Sequence, residues 1–156
     1  SHLNREIKTT KLYFRDTGLA WYLSKWNSAE ALEQSAVAGN MFETFVISEI
    51  LKSFSNEGSD YSFNVFYYRG KDKKRTKENG ELIKEESEID LIIEENGVLC
   101  PIEIKKSANP NKAMASAFDV LDKDVKKKRG MGAIVCLYDS KLYLADDLVV
   151  LPIEYI

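Results

Sequence analysis

Glu103 and Lys105 close an apolar run, residues 98–105 (VLCPIEIK), whose alternation is that of a β-strand. A period of two sends Ile102 and Ile104 to one face and Glu103 and Lys105 to the other, so an acid and a cation share a side. Asn96-Gly97 just upstream is a strong signal for a tight hairpin turn, joining this strand to residues 87–94 (SEIDLIIE). With those two residues central in the turn, positions whose numbers sum to about 193 lie opposite one another, which sets Asp90 across from Glu103. Asp90 is also the one charge between Ile89 and Leu91-Ile92-Ile93. A helix supplies a fourth group. From Gly39 or Asn40, either of which would serve as N-cap, residues 39–54 (GNMFETFVISEILKSF) place Phe42, Phe45, Val46, Ile50 and Phe54 on one broad face, and Glu43 falls inside that apolar arc. Glu49 lies at its margin. A carboxylate in such a place needs a cation or a proton, because burying it bare costs on the order of several kcal/mol.

Three carboxylates and a lysine gathered at a buried sheet form a hard, oxygen-rich site suited to Mg²⁺ or Mn²⁺. The chemistry of that set is phosphodiester hydrolysis. The metal polarises a phosphoryl oxygen and lowers the pKa of a bound water, and the Lys105 ammonium steers that water or stabilises the charge growing on phosphorus. A lone Glu-x-Lys reads more simply as a structural ion pair, Lys105 with Glu103 or Asp90; Asp90 and Glu43 together shift the balance toward a site.

The elements that must hold these groups read as a single α/β domain over residues 1–156, one mixed sheet flanked by helices. Residues 1–38 form a helical lead-in, with short helices from Asp16 to about Trp26 and from Ser28 onward; residues 39–156 form the core. Residues 61–69 (YSFNVFYYR) read as a strand, residues 70–87 as a charged loop, and residues 112–127 as a helix carrying Met114, Ala117, Phe118, Leu121 and Val125. Residues 132–138 and 141–151 read as the closing strands.

Composition narrows the chemistry further. Of 156 residues, 44% are hydrophobic and 30% charged, the make-up of an ordinary folded domain. His2 is the sole histidine, which disfavours Ser-His-Asp hydrolysis and histidine-bound zinc. Cys100 and Cys136 stand singly in apolar runs and read as small buried hydrophobes. Neither GxxxxGK[ST] nor GxGxxG occurs, so phosphate-cradling loops are absent from this chain. No apolar run approaches the ~20 residues of a membrane span and no signal peptide opens the sequence, so a reducing, cytoplasmic setting is expected. The formal net charge is −3, without the basic excess of a general nucleic-acid binder. Positive charge is nonetheless concentrated locally. Residues 69–77 (RGKDKKRTK) carry six basic side chains and one acid, and residues 126–129 (KKKR) add four more. Solvated loops are the plain reading of both. Arg69, Lys71, Lys73, Lys74, Arg75 and Lys77 are the candidate phosphate contacts.

The ordered set Gly39-Asn40-Met41-Phe42-Glu43, Tyr67-Tyr68-Arg69, Glu88-Ile89-Asp90 and Pro101-Ile102-Glu103-Ile104-Lys105-Lys106-Ser107 resembles the PD-(D/E)XK nuclease superfamily. With the opening Lys11-Leu12-Tyr13-Phe14-Arg15-Asp16-Thr17-Gly18-Leu19, it resembles more narrowly the C-terminal domain of unknown function 4143 that follows the ATPase module of bacterial and archaeal AAA-type ATP-binding proteins. The resemblance implies a restriction-endonuclease-like core in which Asp90, Glu103 and Glu43 hold the metal and Lys105 assists the attacking water. It also implies DNA as substrate and a P-loop ATPase partner upstream of this fragment. Two departures stand out: Ile89 occupies the place of the signature proline, and the charged residues after Arg69 look like an insertion. A homodimer is open as an assembly, since nucleases that cut two strands often pair, although nothing in the sequence marks a self-complementary face. The competing expectation is an inactive nuclease-like module kept for DNA docking or protein interaction, its acids retained as ion pairs.

Overall fold

The computed structural model describes Tyr13, Gly18 and residues 37–58, 60–76, 82–123 and 126–156. The two lead-in helices expected before residue 38 lie outside these, apart from Gly18 and Val37. The first long element is helix α1, Ala38–Asn56. Gly39 and Asn40 are not its cap, as expected, but lie within its first turn: Met41 N–H already donates to Val37 O at 2.9 Å, so the ladder closes early. Val46, Ile47 and Ile50 are buried, with Phe42, Leu51 and Phe54 packed at the flanks. Phe45 does not join them. It is 38% exposed, because the packed arc is centred nearer Ile50 and Ile47 takes the place that a wider face would have given Phe45.

A 3₁₀ turn, Tyr61–Phe63, is capped by Asp60, which accepts from Ser62 N–H at 2.9 Å. Strand β1 then runs Val65–Thr76, β2 runs Leu82–Glu95 and β3 runs Val98–Lys105. The charged loop expected at 70–87 is in large part strand. Lys73 pairs with Glu85, Lys74 with Lys84, Arg75 with Ile83 and Thr76 with Leu82, so β1 and β2 continue together as a two-stranded ribbon. Backbone pairing needs no apolar face, and a sequence without one hides it. The Asn96-Gly97 turn forms as its residues demand: φ is 51° at Asn96 and 79° at Gly97, the two left-handed positions of a type I′ turn. Pairing then runs from Glu95↔Val98 to Leu91↔Ile102, the expected register.

Beyond the hairpin come β4 (Lys128–Arg129), β5 (Gly132–Cys136), β6 (Leu142–Ala145) and β7 (Leu148–Pro152). The single strand expected over 141–151 is thus a hairpin that turns at Asp146-Asp147, and the run from residue 132 ends as strand at Cys136. The sheet order is β1-β2-β3-β5-β7-β6, with β4 beside β3. The β3-β5-β7 centre is parallel and both flanks are antiparallel, so the chain is α/β with a mixed central sheet.

One apolar layer joins α1 to Leu91, Ile104 and Val135. The other joins Ile89, Ile92, Leu99 and Ile134 to Ala115, Phe118, Val120 and Leu121 of the β3–β5 crossover. That crossover is not the α-helix expected at 112–127. It is two 3₁₀ segments, Lys112–Ala115 and Phe118–Lys123, the first opened by Asn111 accepting from Ala113 N–H at 3.1 Å. Apolar residues three apart, Phe118 and Leu121 among them, suit three residues per turn as well as 3.6.

Phe118 fixes how closely the crossover sits on β5. A Cβ built on Gly132 would fall 2.7 Å from Phe118 Cε2 and 2.8 Å from its Cδ2, and the ring is buried with no room to retreat. Gly132→Ala is therefore expected to destabilise the fold by about 1–3 kcal/mol through overpacking. Urea unfolding checks this, and an unchanged midpoint would mean that the ring does not seat there.

Candidate functional site

The placement of Asp90 begins with a miscount between two strands. Between the pairs Phe66↔Ile92 and Tyr68↔Ile89, β1 contributes one residue and β2 contributes two, a β-bulge at Asp90-Leu91. Ile89 and Ile92, three apart, therefore share one core layer, which a regular strand forbids, while Leu91 packs toward α1 in the other. Pairing of β2 with β3 stops at Leu91↔Ile102. Asp90 fills the gap: its Oδ2 accepts the Ile104 N–H at 2.8 Å, a side chain standing in for a strand neighbour. The residue is 6% exposed.

Glu103 and Lys105 keep the alternation expected of them. Ile102 and Ile104 pack toward α1, and the acid and the lysine turn into an open cleft of about 410 Å³. Glu103 Oε1 accepts from Lys105 Nζ at 2.6 Å. Its other oxygen, Oε2, is buried and has no hydrogen-bond partner among the described residues. Burial first, and then the Asp90 charge, push the Glu103 carboxyl up to about 7, although Lys105 pulls the other way. For Lys105, burial works to lower the pKa, but Glu103, Asp90 and Glu43 outweigh it and hold the value above that of an ordinary lysine. It is an ammonium at neutral pH.

Glu43 reaches the same cleft from the second turn of α1, and the Tyr13 phenol donates to its Oε1 at 2.8 Å. All four residues singled out in the sequence, Glu43, Asp90, Glu103 and Lys105, thus line one cleft. Asn40, Thr44, Glu88 and Tyr13 line it too. Glu88 was legible, two residues before Asp90 on one strand; Tyr13 was not, since no spacing rule links it to Glu43 thirty positions away. Glu49 is settled otherwise, in a surface ion pair with Lys52 at 2.6 Å.

The basic candidates divide. Arg69 is paired through Nη2 with Glu86 Oε2 at 2.8 Å. Lys71, Lys73, Lys74 and Arg75 belong to β1, and Lys77 lies outside the described residues. In the second basic stretch Lys127 pairs with Glu94, and Arg129 reaches Asp122 and Asp147, each at 2.8 Å, while Lys126 and Lys128 are exposed. Cys100, half-buried, and Cys136, buried, are both free thiols.

A hard divalent cation is carried by one or two carboxylates together with water and substrate oxygens. Asp90 and Glu103 match that donor chemistry: both are buried oxygen ligands, one has an unpartnered oxygen, and the pair is short of positive charge. Among the described residues no group of three or more His, Cys, Asp or Glu side chains is arranged to hold an ion as it stands, so Glu43 is not part of a closed cage.

Residues 83–156 match the family model Domain of unknown function (DUF4143). The DUF4143 match covers just under half of the chain and takes in Glu88, Asp90, Glu103 and Lys105, but not Glu43. It supports the narrower resemblance over that span. None of the curated proteins compared matches the chain. No helix among the described residues is long and apolar enough to cross a membrane.

The raised Glu103 carboxyl has a signed effect on stability. The folded state holds this proton more tightly than the unfolded one, so the stabilisation is complete below the unfolded value of 4.5 and is lost as pH rises through about 7. In metal-free buffer, Glu103→Gln should match the parent near pH 4 and exceed it by about 2–3 kcal/mol at pH 8. Thermal or urea melts across this range test it; a stability gap that does not widen with pH would contradict the burial and crowding described here.

Proposed function

We propose that the cleft of Glu43, Asp90, Glu103 and Lys105 hydrolyses DNA phosphodiesters with Mg²⁺ or Mn²⁺, in a restriction-endonuclease-like core of the PD-(D/E)XK kind. The observation that carries this reading is the buried, unpartnered Glu103 Oε2 beside the buried Asp90 carboxylate, with one ammonium at the cleft. A structural ion pair accounts for Lys105 and Glu103, and Asp90 serves the Ile104 N–H, but a neutral acceptor would serve it too, and the Asp90 charge raises the cost of Glu103. Such a cost is maintained where a site uses it.

In this reading Asp90 and Glu103 hold the cation. Bound there, it supplies Lewis-acid polarisation of the phosphoryl oxygen and a water of lowered pKa. The remaining work falls to the protein's own groups. Lys105, held by Glu103, offers its ammonium at the cleft mouth, where it orients the attacking water and stabilises charge developing on the non-bridging oxygens. Glu43, its Oε1 engaged by Tyr13, adds a carboxylate from the helix side that accepts hydrogen bonds from water in the cleft. Glu88 deepens the negative potential that draws a cation in. A P-loop ATPase carried on the same polypeptide would be the partner of this activity.

The second reading, an inactive docking module, draws on one observation: no three-carboxylate group is preformed among the described residues. Titration calorimetry with Mn²⁺ and Mg²⁺ separates the two. Asp90→Asn keeps an oxygen that accepts the Ile104 N–H, so the fold is expected to survive while metal binding is lost. Cleavage should fall at least about 100-fold in Asp90→Asn and in Lys105→Ala. Absence of binding up to millimolar metal, with parent and variant both folded, would overturn the nuclease reading in favour of the docking one.

A further inference from the structure

Asn40, Glu43, Thr44 and Ile47 stand at i, i+3, i+4 and i+7 of α1, so they share one face of the helix. Deeper along that face Ile47 is buried in the apolar layer, while Asn40, Glu43 and Thr44 in the first two turns line the cleft. Asn40 is exposed and Thr44 half-buried. Neither is a good helix former. The other hydroxyls of α1 turn back on its carbonyls: Ser48 donates to Phe45 O at 2.8 Å, Ser53 to Ile50 O at 2.8 Å and Ser55 to Leu51 O at 3.0 Å. Thr44 makes no such bond among the described residues, and the Asn40 amide does not cap the helix. The cleft, meanwhile, is short of donors. Glu43, Glu88, Asp90 and Glu103 are four carboxylates against the one ammonium of Lys105, so even with a divalent cation bound a phosphodiester anion would meet no net positive charge there. Lys105 is shared with Glu103, and the Tyr13 phenol spends its proton on Glu43.

We propose that Asn40 and Thr44 form a neutral clamp for the substrate phosphodiester, the Asn40 amide N–H and the Thr44 hydroxyl each donating to a non-bridging oxygen of the group that enters the cleft. An amide and a hydroxyl supply hydrogen bonds without adding charge, so they hold the phosphate without drawing the carboxylates away from the cation. Four residues apart on one helix face, their Cβ atoms lie about 5–6 Å from one another, a span across which two donors can reach one phosphate. The clamp rests on the nuclease reading of the cleft. It makes the two residues binding groups outside the reacting set, gripping substrate and transition state alike.

Steady-state cleavage of a labelled DNA of about 20 nucleotides, as single strand and as duplex at saturating Mn²⁺, tests the clamp. Asn40→Ala and Thr44→Val should each raise KM about 5- to 10-fold and leave kcat within about twofold of the parent. Thr44→Ser, which keeps the hydroxyl, should restore a parent-like KM. Asn40→Asp, which keeps the shape but adds a carboxylate, should bind substrate worst. Mn²⁺ affinity by titration calorimetry and the melting temperature should match the parent in Asn40→Ala and Thr44→Val. Parent-like KM in both variants would overturn the clamp. So would a drop in Mn²⁺ affinity or in melting temperature that accounts for the whole loss of cleavage, since the two residues would then serve the metal or the fold. A parent that binds no Mn²⁺ and cuts neither substrate would overturn the reading of the cleft itself, whereas a parent that cuts, beside variants that cut equally well at low substrate, would overturn the clamp alone.

Discussion

One backbone N–H, that of Ile104, organises the centre of this molecule. Where β2 bulges it no longer presents a carbonyl to β3, and a buried N–H without an acceptor costs on the order of 1–3 kcal/mol. The Asp90 carboxylate meets that need from inside the bulge. The same bond pins a buried negative charge at the floor of the cleft, close enough to Glu103 to lift its pKa, and Lys105 is drawn in to offset both. Fold and chemistry therefore share a residue. Restoring a regular β2 would remove the need for Asp90 and would also send Ile89 and Ile92 to different layers, so the core depends on the irregularity as much as the cleft does.

The charge balance that results is uneven by construction. Asp90 and Glu103 are both 6% exposed, and the one ammonium among them is far more open to water. Buried ion pairs seldom stabilise a fold more than a well-packed apolar substitute would. Lys105 with Glu103 would break roughly even by that measure; a second buried acid tips the sum unfavourably. Protonation of Glu103 is one relief, and in the proposed function a divalent cation would be the other. The two would compete for the same oxygens.

Much of this was legible in the sequence, for local reasons. Asn96-Gly97 admits few turns, so it set the hairpin register and with it the approach of Asp90 to Glu103. The alternation of Ile102 and Ile104 with Glu103 and Lys105 is a period-two signal that burial enforces. What stayed hidden was non-local or without an apolar signature. A bulge is a parity change that leaves no mark in a run such as EIDLII. The ribbon carries charge where strands usually carry β-branched residues, so no apolar signal marks it. The 3₁₀ crossover satisfies a helical spacing without forming an α-helix. Tyr13 reaches Glu43 through tertiary packing that no window of sequence contains.

The ribbon is polarised across its width. β1, the sheet's outermost strand, carries the basic residues, and β2, one strand further in, carries the acidic ones. The Arg69–Glu86 pair ties the two together without erasing the difference. Such an arrangement acts less as a net charge than as a dipole lying in the plane of the sheet. A polyanion approaching from the outer edge feels attraction and one approaching over the acidic cleft feels repulsion, so encounters are sorted by orientation before any contact forms. A chain that is acidic overall thereby acquires a preferred direction of approach.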